Sequence, residues 1–276
     1  MRPRARALQG LTVSVIGAGK MGQALLKGLL ASGVSRHRLR AADASSMIRG
    51  RVSRRFGLTA RQDNIVTARG ADVIILAVKP QQMSEVTAQL APHLRRNQLV
   101  ISIAAGITLR WLQVRLKGLP VIRVMPNLPA TVGSGFSAIA PGRAATVRHR
   151  AMAIALFGAV GAVCEVPERQ LDAVTAVSGS GPAYVFFLAQ IWQQAAQSLG
   201  LSPKVAERAI RATLEGSVRL WQASGESPDV LINKVASKGG TTEAALKVLV
   251  TRRVAAHFLE ALRAAARRSK ELSCSS

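Results

Sequence analysis

Six residues, Gly17-Ala18-Gly19-Lys20-Met21-Gly22, limit what this chain can fold into more than any others. They follow an apolar run, Thr12 to Gly17, and open a segment whose apolar spacing predicts a helix from Met21 to about Ser32. At a strand–turn–helix junction each glycine of a Gly-x-Gly-x-x-Gly has a physical task. The first permits the tight turn, the second lets a pyrophosphate approach the backbone, and the third lets helix pack closely on strand. The helix start then offers unpaired N–H groups to phosphate oxygens. Without that context the pattern is often only a turn; with it, the pattern predicts a dinucleotide site. Lys20 is followed by Met21 rather than Ser or Thr, which excludes the phosphate loop of nucleotide triphosphatases.

The rest of the first half repeats the theme. A short strand is expected before Asp43, and Ala71–Pro80 and Gln98–Gly106 are strands with almost no polar residues. Val121–Pro126 and Phe136–Ala140 continue the pattern. Hydrophobicity that is continuous rather than alternating means burial on both faces, as in a parallel sheet between helices. Only 4% of residues are aromatic, so Ala, Val, Leu and Ile must fill the core. Beyond Val166-Pro167 the strands give way to helical segments at about Gly181–Leu199, Pro203–Ala223 and Arg252–Lys270, with Ser202 capping the second and Pro203 in its first turn. The expected class is α/β: an N-terminal Rossmann-type doubly wound parallel sheet followed by an all-helical C-terminal domain. Its expected parts are a basic extension over 1–10, a dinucleotide-binding domain over 11–167 and a helical domain over 168–276.

Charge and cysteine usage narrow the function classes. Lys and Arg total 38 against 14 acids, a net charge of +24, and no acid precedes Asp43. Such a chain attracts polyanions. Its basic residues are nevertheless dispersed, and the aromatic platforms of single-strand binders are missing, so a solvated surface and no specific nucleic-acid partner are expected. Cys164 and Cys274 form no CxxC pair, and four dispersed histidines form no HxxxH, so neither a disulfide framework nor a metal site is expected. The first ten residues are basic without an apolar core, unlike a secretory signal. The uncharged stretch between Asp172 and Lys204 is interrupted by four glutamines and opens on Pro182 with two glycines, so it reads as a helix at a protein interface rather than a membrane span. A cytoplasmic protein is expected.

Several segments are too particular for plain scaffold. Asp43 stands 21 positions after Gly22, where an acid takes the adenosine ribose hydroxyls and favours NAD; Ser45, Ser46, Arg49 and Arg51 follow at once and suit a 2′-phosphate instead. Ala77-Val78-Lys79-Pro80, Ser102–Gly106 and Met125–Ala130 each end an apolar strand at its carboxyl end, the edge where ligands sit in such sheets. Ser178–Tyr184 (SGSGPAY) lacks the glycine spacing of a serine-hydrolase elbow. Ser237–Thr242 (SKGGTT) places two glycines and two threonine hydroxyls before a helix expected near Glu243, an arrangement suited to a small carboxylate or to plain capping.

Taken in order, GAGKMG, AVKP, SIAAG, RVMPNLPA, DAVTAVSGSGPAY and SKGGTT resemble the motif series of the pyrroline-5-carboxylate reductases, from about Thr12 to Leu272. The resemblance implies NAD(P)H-dependent reduction of 1-pyrroline-5-carboxylate to L-proline, the last step of proline biosynthesis, with NADP(H) favoured over NAD(H). It implies cofactor contacts at Gly17, Ala18, Gly19, Lys20, Met21, Gly22, Asp43, Asn64, Ala77, Val78, Lys79, Pro80, Ala104, Ala105 and Gly106. It implies substrate contacts at Glu168, Ser237, Gly239, Gly240, Thr241 and Thr242, with the Thr242 hydroxyl as the catalytic group on the ring nitrogen. The helical domain would build a homodimer, assembled further into a decamer. Against the family pattern Lys20 replaces Asn, Leu128 replaces Thr, Lys238 replaces Pro, Asn233 stands for an acid, and uncharged residues such as Gln190 and Gln193 stand for acids after SGSGPAY. The rival readings are a reductase of another imine or a β-hydroxyacid, and a catalytically weak homologue with an anion-binding role.

Overall fold

A computed structural model describes Leu8 and residues 10–274; most of the basic extension lies outside the described residues. The chain forms two compact units, one running to Ser180 and including residues 265–276, the other Gly181–Ala264.

The first unit is built on an eight-stranded sheet in the order β3-β2-β1-β4-β5-β6-β7-β8. Its strands are β1 (Val13–Ile16), β2 (Leu39–Ala42), β3 (Ala60–Arg61), β4 (Val73–Leu76), β5 (Leu99–Ser102), β6 (Val121–Pro126), β7 (Gly135–Pro141) and β8 (Gly161–Glu165). β3 through β6 are parallel. Successive residues point to opposite faces: Val13, Val15, Val73 and Ile75 enter one core, Ile16, Ile74 and Leu76 the other. Helices α1 (Lys20–Ala31), α2 (Ser46–Phe56) and α6 (Val147–Gly158) cover the first face through Leu25, Leu26, Leu29, Val52 and Phe157; α4 (Met83–Leu90) and α5 (Leu109–Arg115) cover the second through Met83, Leu90 and Leu112. Burial of both faces explains the continuous apolar runs.

Two details differ from the expected pattern. β7 runs antiparallel to β6, with Val124 opposite Ile139. The connection between them is a short turn over Leu128–Val132 closed by left-handed Gly133, too short for the crossover that parallel strands need. β8, unforeseen, then pairs parallel to β7 after helix α6.

Helix starts in this unit are mostly self-sufficient. α2, α3 (Asn64–Ala68), α5 and α6 are capped by the side chains of Ser45, Asp63, Thr108 and Thr146. α1 instead starts on Gly19, with no side-chain cap and no acid in its first turn. After a short helix α7 (Leu171–Val174), Thr175–Gly179 adopts π geometry, with the Ser180 N–H donating to the Thr175 carbonyl at 2.8 Å.

The second unit contains α8 (Gly181–Ser198), α9 (Pro203–Ser224), α10 (Pro228–Val235), α11 (Thr241–Thr251) and the first half of α12 (Val254–Cys274). Ser202 caps α9 as expected, with Pro203 in its first turn. Tyr184 meets Phe258 edge-on at 5.8 Å. The buried cluster in this unit is small: Ala196, Ala206 and Ile210. Phe186, Phe187, Leu188 and Ile191 of α8 stay exposed. By length and composition alone, Glu168–Ser198 is apolar enough to cross a membrane; only 6% of its most apolar window is buried.

Candidate functional site

The sheet reverses winding between β1 and β4, and the crevice at their carboxyl ends holds a cavity of about 510 Å³. Of the expected dinucleotide residues, Gly17, Gly19, Asp43, Asn64, Ala77, Val78 and Lys79 line it. Ala18 is fully buried beneath the turn. Lys20 opens α1 and faces a neighbouring cavity. Met21 and Gly22 lie in the first turn of α1, Pro80 begins the short turn leading to α4, and none of the three lines the cavity. Ala104, Ala105 and Gly106 follow β5, outside the cavity lining. There Gly106 has φ +79°, and an added Cβ would stand 3.0 Å from the Leu272 carbonyl oxygen at the end of α12.

The glycine turn fits a dinucleotide's phosphates on geometric grounds. Gly17 has φ +92°, and an added Cβ would lie 2.7 Å from the Ala77 carbonyl and the Val78 nitrogen. A Cβ on Gly22 would lie 2.2 Å from the Gly17 carbonyl oxygen. Above Gly19 nothing stands within 4 Å, so the start of α1 is open where a pyrophosphate needs it. Asp43 fastens the turn: one carboxylate oxygen accepts from Ala18 N–H at 2.8 Å, the other from Ser45 N–H at 2.9 Å. Arg49 donates to the carbonyls of Asp43 (2.9 Å) and Ala44 (2.8 Å), holding the end of β2 in place.

Sequence reasoning did not single out Ile48, Gln62, Gln82, Glu85, Val86 and Gln89 as part of this cavity. Gln82, Glu85, Val86 and Gln89 sit on and just before α4, which follows the AVKP turn, and their spacing on one helix face was the available signal. Gln89 accepts from the Asn64 amide at 3.2 Å across the cavity wall.

The remaining motifs divide into braces and a glycine-rich loop before a helix. Asn127 donates to the Ser178 hydroxyl (3.0 Å) and carbonyl (3.3 Å) and accepts from Phe136 N–H (2.8 Å), so the MPNLPA and SGSGPAY motifs are tied to each other. One oxygen of Glu168 accepts from Leu109 N–H at 2.7 Å and from Arg123 at 3.0 Å, joining β6 to the start of α5. Arg123 is only 6% exposed, and this pair is its compensation. Asp172 accepts from Ser269 at 2.7 Å, which fastens the last turns of α12.

In the helical unit, Ser237, Gly239 and Gly240 form the loop before α11, and Thr241 and Thr242 are its first residues. The helix starts on Gly240 with no side-chain cap, the same device as Gly19 at α1. Gly239 has φ +73°, and its N–H donates to a carboxylate oxygen of Glu243 at 2.6 Å. Ser237 packs so closely on Gly240 that a Cβ there would meet its hydroxyl at 2.4 Å. Among the described residues, no group of three His, Cys, Asp or Glu is placed to hold a metal ion.

A doubly wound sheet with an open glycine turn at its switch point defines a dinucleotide-dependent oxidoreductase. Comparisons with known proteins specify it further. Residues 12–106 match the family described as NADP oxidoreductase, coenzyme F420-dependent, and residues 168–272 match pyrroline-5-carboxylate reductase dimerisation. The pyrroline-5-carboxylate reductase of Methanosarcina acetivorans is 38% identical over 96% of this chain and 99% of its own. The Coxiella burnetii enzyme of that name superposes with a TM-score of 0.91 at 35% identity, over 95% of this chain and 98% of the other. Plasmodium falciparum pyrroline carboxylate reductase, solved with NADP bound, gives 0.86 at 26% identity over 96% and 99%. The chain belongs to the pyrroline-5-carboxylate reductase family.

Proposed function

We infer that this chain catalyses the reaction its family is named for, the reduction of 1-pyrroline-5-carboxylate to L-proline, as an NAD(P)H-dependent oxidoreductase of proline biosynthesis that uses NADP(H) in preference to NAD(H). The observation that carries this is the open glycine turn at the sheet's switch point, in a chain that matches the Methanosarcina reductase over nearly its whole length. The NADP family match over 12–106 and the NADP in the Plasmodium relative support the cofactor.

When bound, the reduced nicotinamide supplies the hydride for the ring's imine carbon. The chain's own residues bind and orient. The first N–H groups of α1, from Gly19 through Gly22, take the pyrophosphate. Ala18 and Met21 shape that turn, and Lys20 adds charge beside it. Asp43 and Asn64 meet the adenosine half, while Ala77–Pro80 and Ala104–Gly106 shape the nicotinamide half. Ser237, Gly239, Gly240 and Thr241 hold the substrate carboxylate, which reaches the Gly239 N–H by replacing Glu243. The Thr242 hydroxyl hydrogen-bonds the ring nitrogen, drawing electrons from the C=N bond. Glu168 contacts substrate through the oxygen that its brace leaves over. No strong base or nucleophile is needed, so catalysis is positioning and electrostatics.

Residues 11–167 are the dinucleotide domain and 168–276 the substrate and dimerisation domain. The apolar face of α8 supports a homodimer, assembled further into a decamer, rather than a membrane span. The protein is cytoplasmic and has no specific nucleic-acid partner. Steady-state oxidation of NADPH and NADH with pyrroline-5-carboxylate tests the reading, with Thr242→Ala alongside. Loss of one hydrogen bond to a charged group, about 1.5–3 kcal/mol, predicts turnover lower by about 10- to 100-fold with the NADPH KM unchanged. Absence of turnover by the folded parent protein with either dinucleotide overturns it.

A further inference from the structure

Beside the dinucleotide cavity lies a second one of about 370 Å³, between α1 and α2. It includes Gly19 and Lys20 of the proposed pyrophosphate turn and extends past them to Lys27 and Arg55, which the proposed reaction does not use. Lys20 and Lys27 of α1 face it from one wall, Arg51 and Arg55 of α2 from the other. No Asp or Glu lines it. Among the described residues none of these four cations belongs to an ion pair, whereas the exposed Arg211 and Arg219 each find a glutamate four residues away. Arg51 and Arg55 are themselves four apart, a like-charge spacing that weakens a helix unless an anion lies between them. The cavity shares Gly19 and Ile48 with the dinucleotide cavity.

We propose that this cavity is a second anion site, which takes an oligophosphate chain of the kind carried by triphosphate-bearing small molecules and whose occupancy weakens dinucleotide binding across the shared Gly19 turn. Four cations on two facing helices match the charge of three linked phosphates and exceed that of one. Each contact is a charge-assisted hydrogen bond, and the arginines add forked geometry suited to phosphate oxygens.

Calorimetric titration of the full-length protein with sodium tripolyphosphate at constant ionic strength tests this. The comparison is with the double variant Lys27→Gln/Arg55→Gln, at two exposed positions outside the proposed dinucleotide and substrate contacts. The expected result is one tripolyphosphate per protomer, bound at least tenfold more weakly by the variant, with the variant's affinity for NADP+ alone unchanged. Tripolyphosphate should also weaken NADP+ binding more in the parent protein than in the variant. Because the readout is binding, failure of the reductase reading leaves this result unaffected. Equal tripolyphosphate affinity in both proteins overturns the proposal, since the polyanion would then occupy the dinucleotide cavity. An equal effect of sulfate at matched ionic strength overturns it in favour of screening. Tighter binding of a short single-stranded oligonucleotide, lost in the same variant, overturns it in favour of a nucleic-acid surface.

Discussion

The two compact units solve the burial problem in opposite ways. The sheet unit buries apolar residues on both faces of its central strands, while the edge strands β3 and β8 hold no fully buried residue. The helical unit has three residues in its buried cluster, and Phe186 and Phe187 are each 64% exposed on a helix that carries no charge. An exposed apolar helix face of this kind marks an interaction surface. The first unit closes its central core with its own residues, and the second leaves an apolar helix face exposed, which agrees with an oligomer-forming role for the dimerisation family matched over 168–272.

The sharpest way to break this comparison is to charge the exposed face. Phe187→Glu buries an unpaired carboxylate in each half of the interface, a cost of several kcal/mol. The dimer dissociation constant should rise about a thousandfold or more, read by light scattering across a dilution series. Turnover should fall with the dimer, while NADP+ affinity stays within about threefold. A dimer of unchanged strength sinks the assignment of this face.

The mirror experiment strikes the sheet unit. Gly17→Ala places a methyl 2.7 Å from the Ala77 backbone at φ +92°, a strain of about 1–3 kcal/mol. NADP+ binding should weaken about 10- to 100-fold with the dimer intact. Simultaneous loss of both properties would show that the two units are not separable.

Much of this division was legible in the sequence, for physical reasons. Continuous apolar runs report burial on two faces, so β1, β2, β4, β5, β6 and β7 were all found. β3 is two residues long and carries no such signal. β8 was hidden because residues 152–164, which hold the end of α6, a tight turn and most of the strand, carry no charged residue to mark where one element gives way to the next. Within the site, the glycine turn was legible because its backbone geometry restricts the residue type. Gln62 was not, because nothing local distinguishes a cavity-lining glutamine from a solvated one. Asn127 lies within the Met125–Ala130 segment that stood out at a strand end, yet its three hydrogen bonds make it a brace to Ser178 and Phe136, partners that sequence spacing does not show.

A smaller effect separates buried from exposed charge within the sheet unit. Glu168→Gln removes the anion beside Arg123, which is almost inaccessible. The expected cost is about 2 kcal/mol, seen as a melting temperature lower by several degrees. Glu165→Gln breaks the solvated pair with Arg150 and should cost less than about 1 kcal/mol. Equal losses would mean that burial does not set the worth of these pairs.

The smallest effect is a pH dependence at the start of α6. His149 completes a reciprocal cap there: its N–H donates to the Thr146 hydroxyl at 3.4 Å, and its Nδ1 accepts from the Thr146 N–H at 3.2 Å. Burial, with the neighbouring Arg148 charge adding to it, holds the imidazole below its ordinary value of 6.5. A depressed folded value means that, as pH falls, the unfolded chain takes up the proton before the folded one does. Stability from this group is therefore complete above about 6.5 and is lost as pH drops from there towards the lower folded value. Protonation also converts Nδ1 from acceptor to donor, which removes half of the cap. His149→Gln keeps an acceptor suited to that position without a titrating ring. Melting temperatures of the two proteins should run parallel above pH 7 and converge or cross between pH 6.5 and 5, with the parent falling faster. Curves that stay parallel throughout would show that the imidazole titrates alike in both states and that the cap is insensitive to its proton.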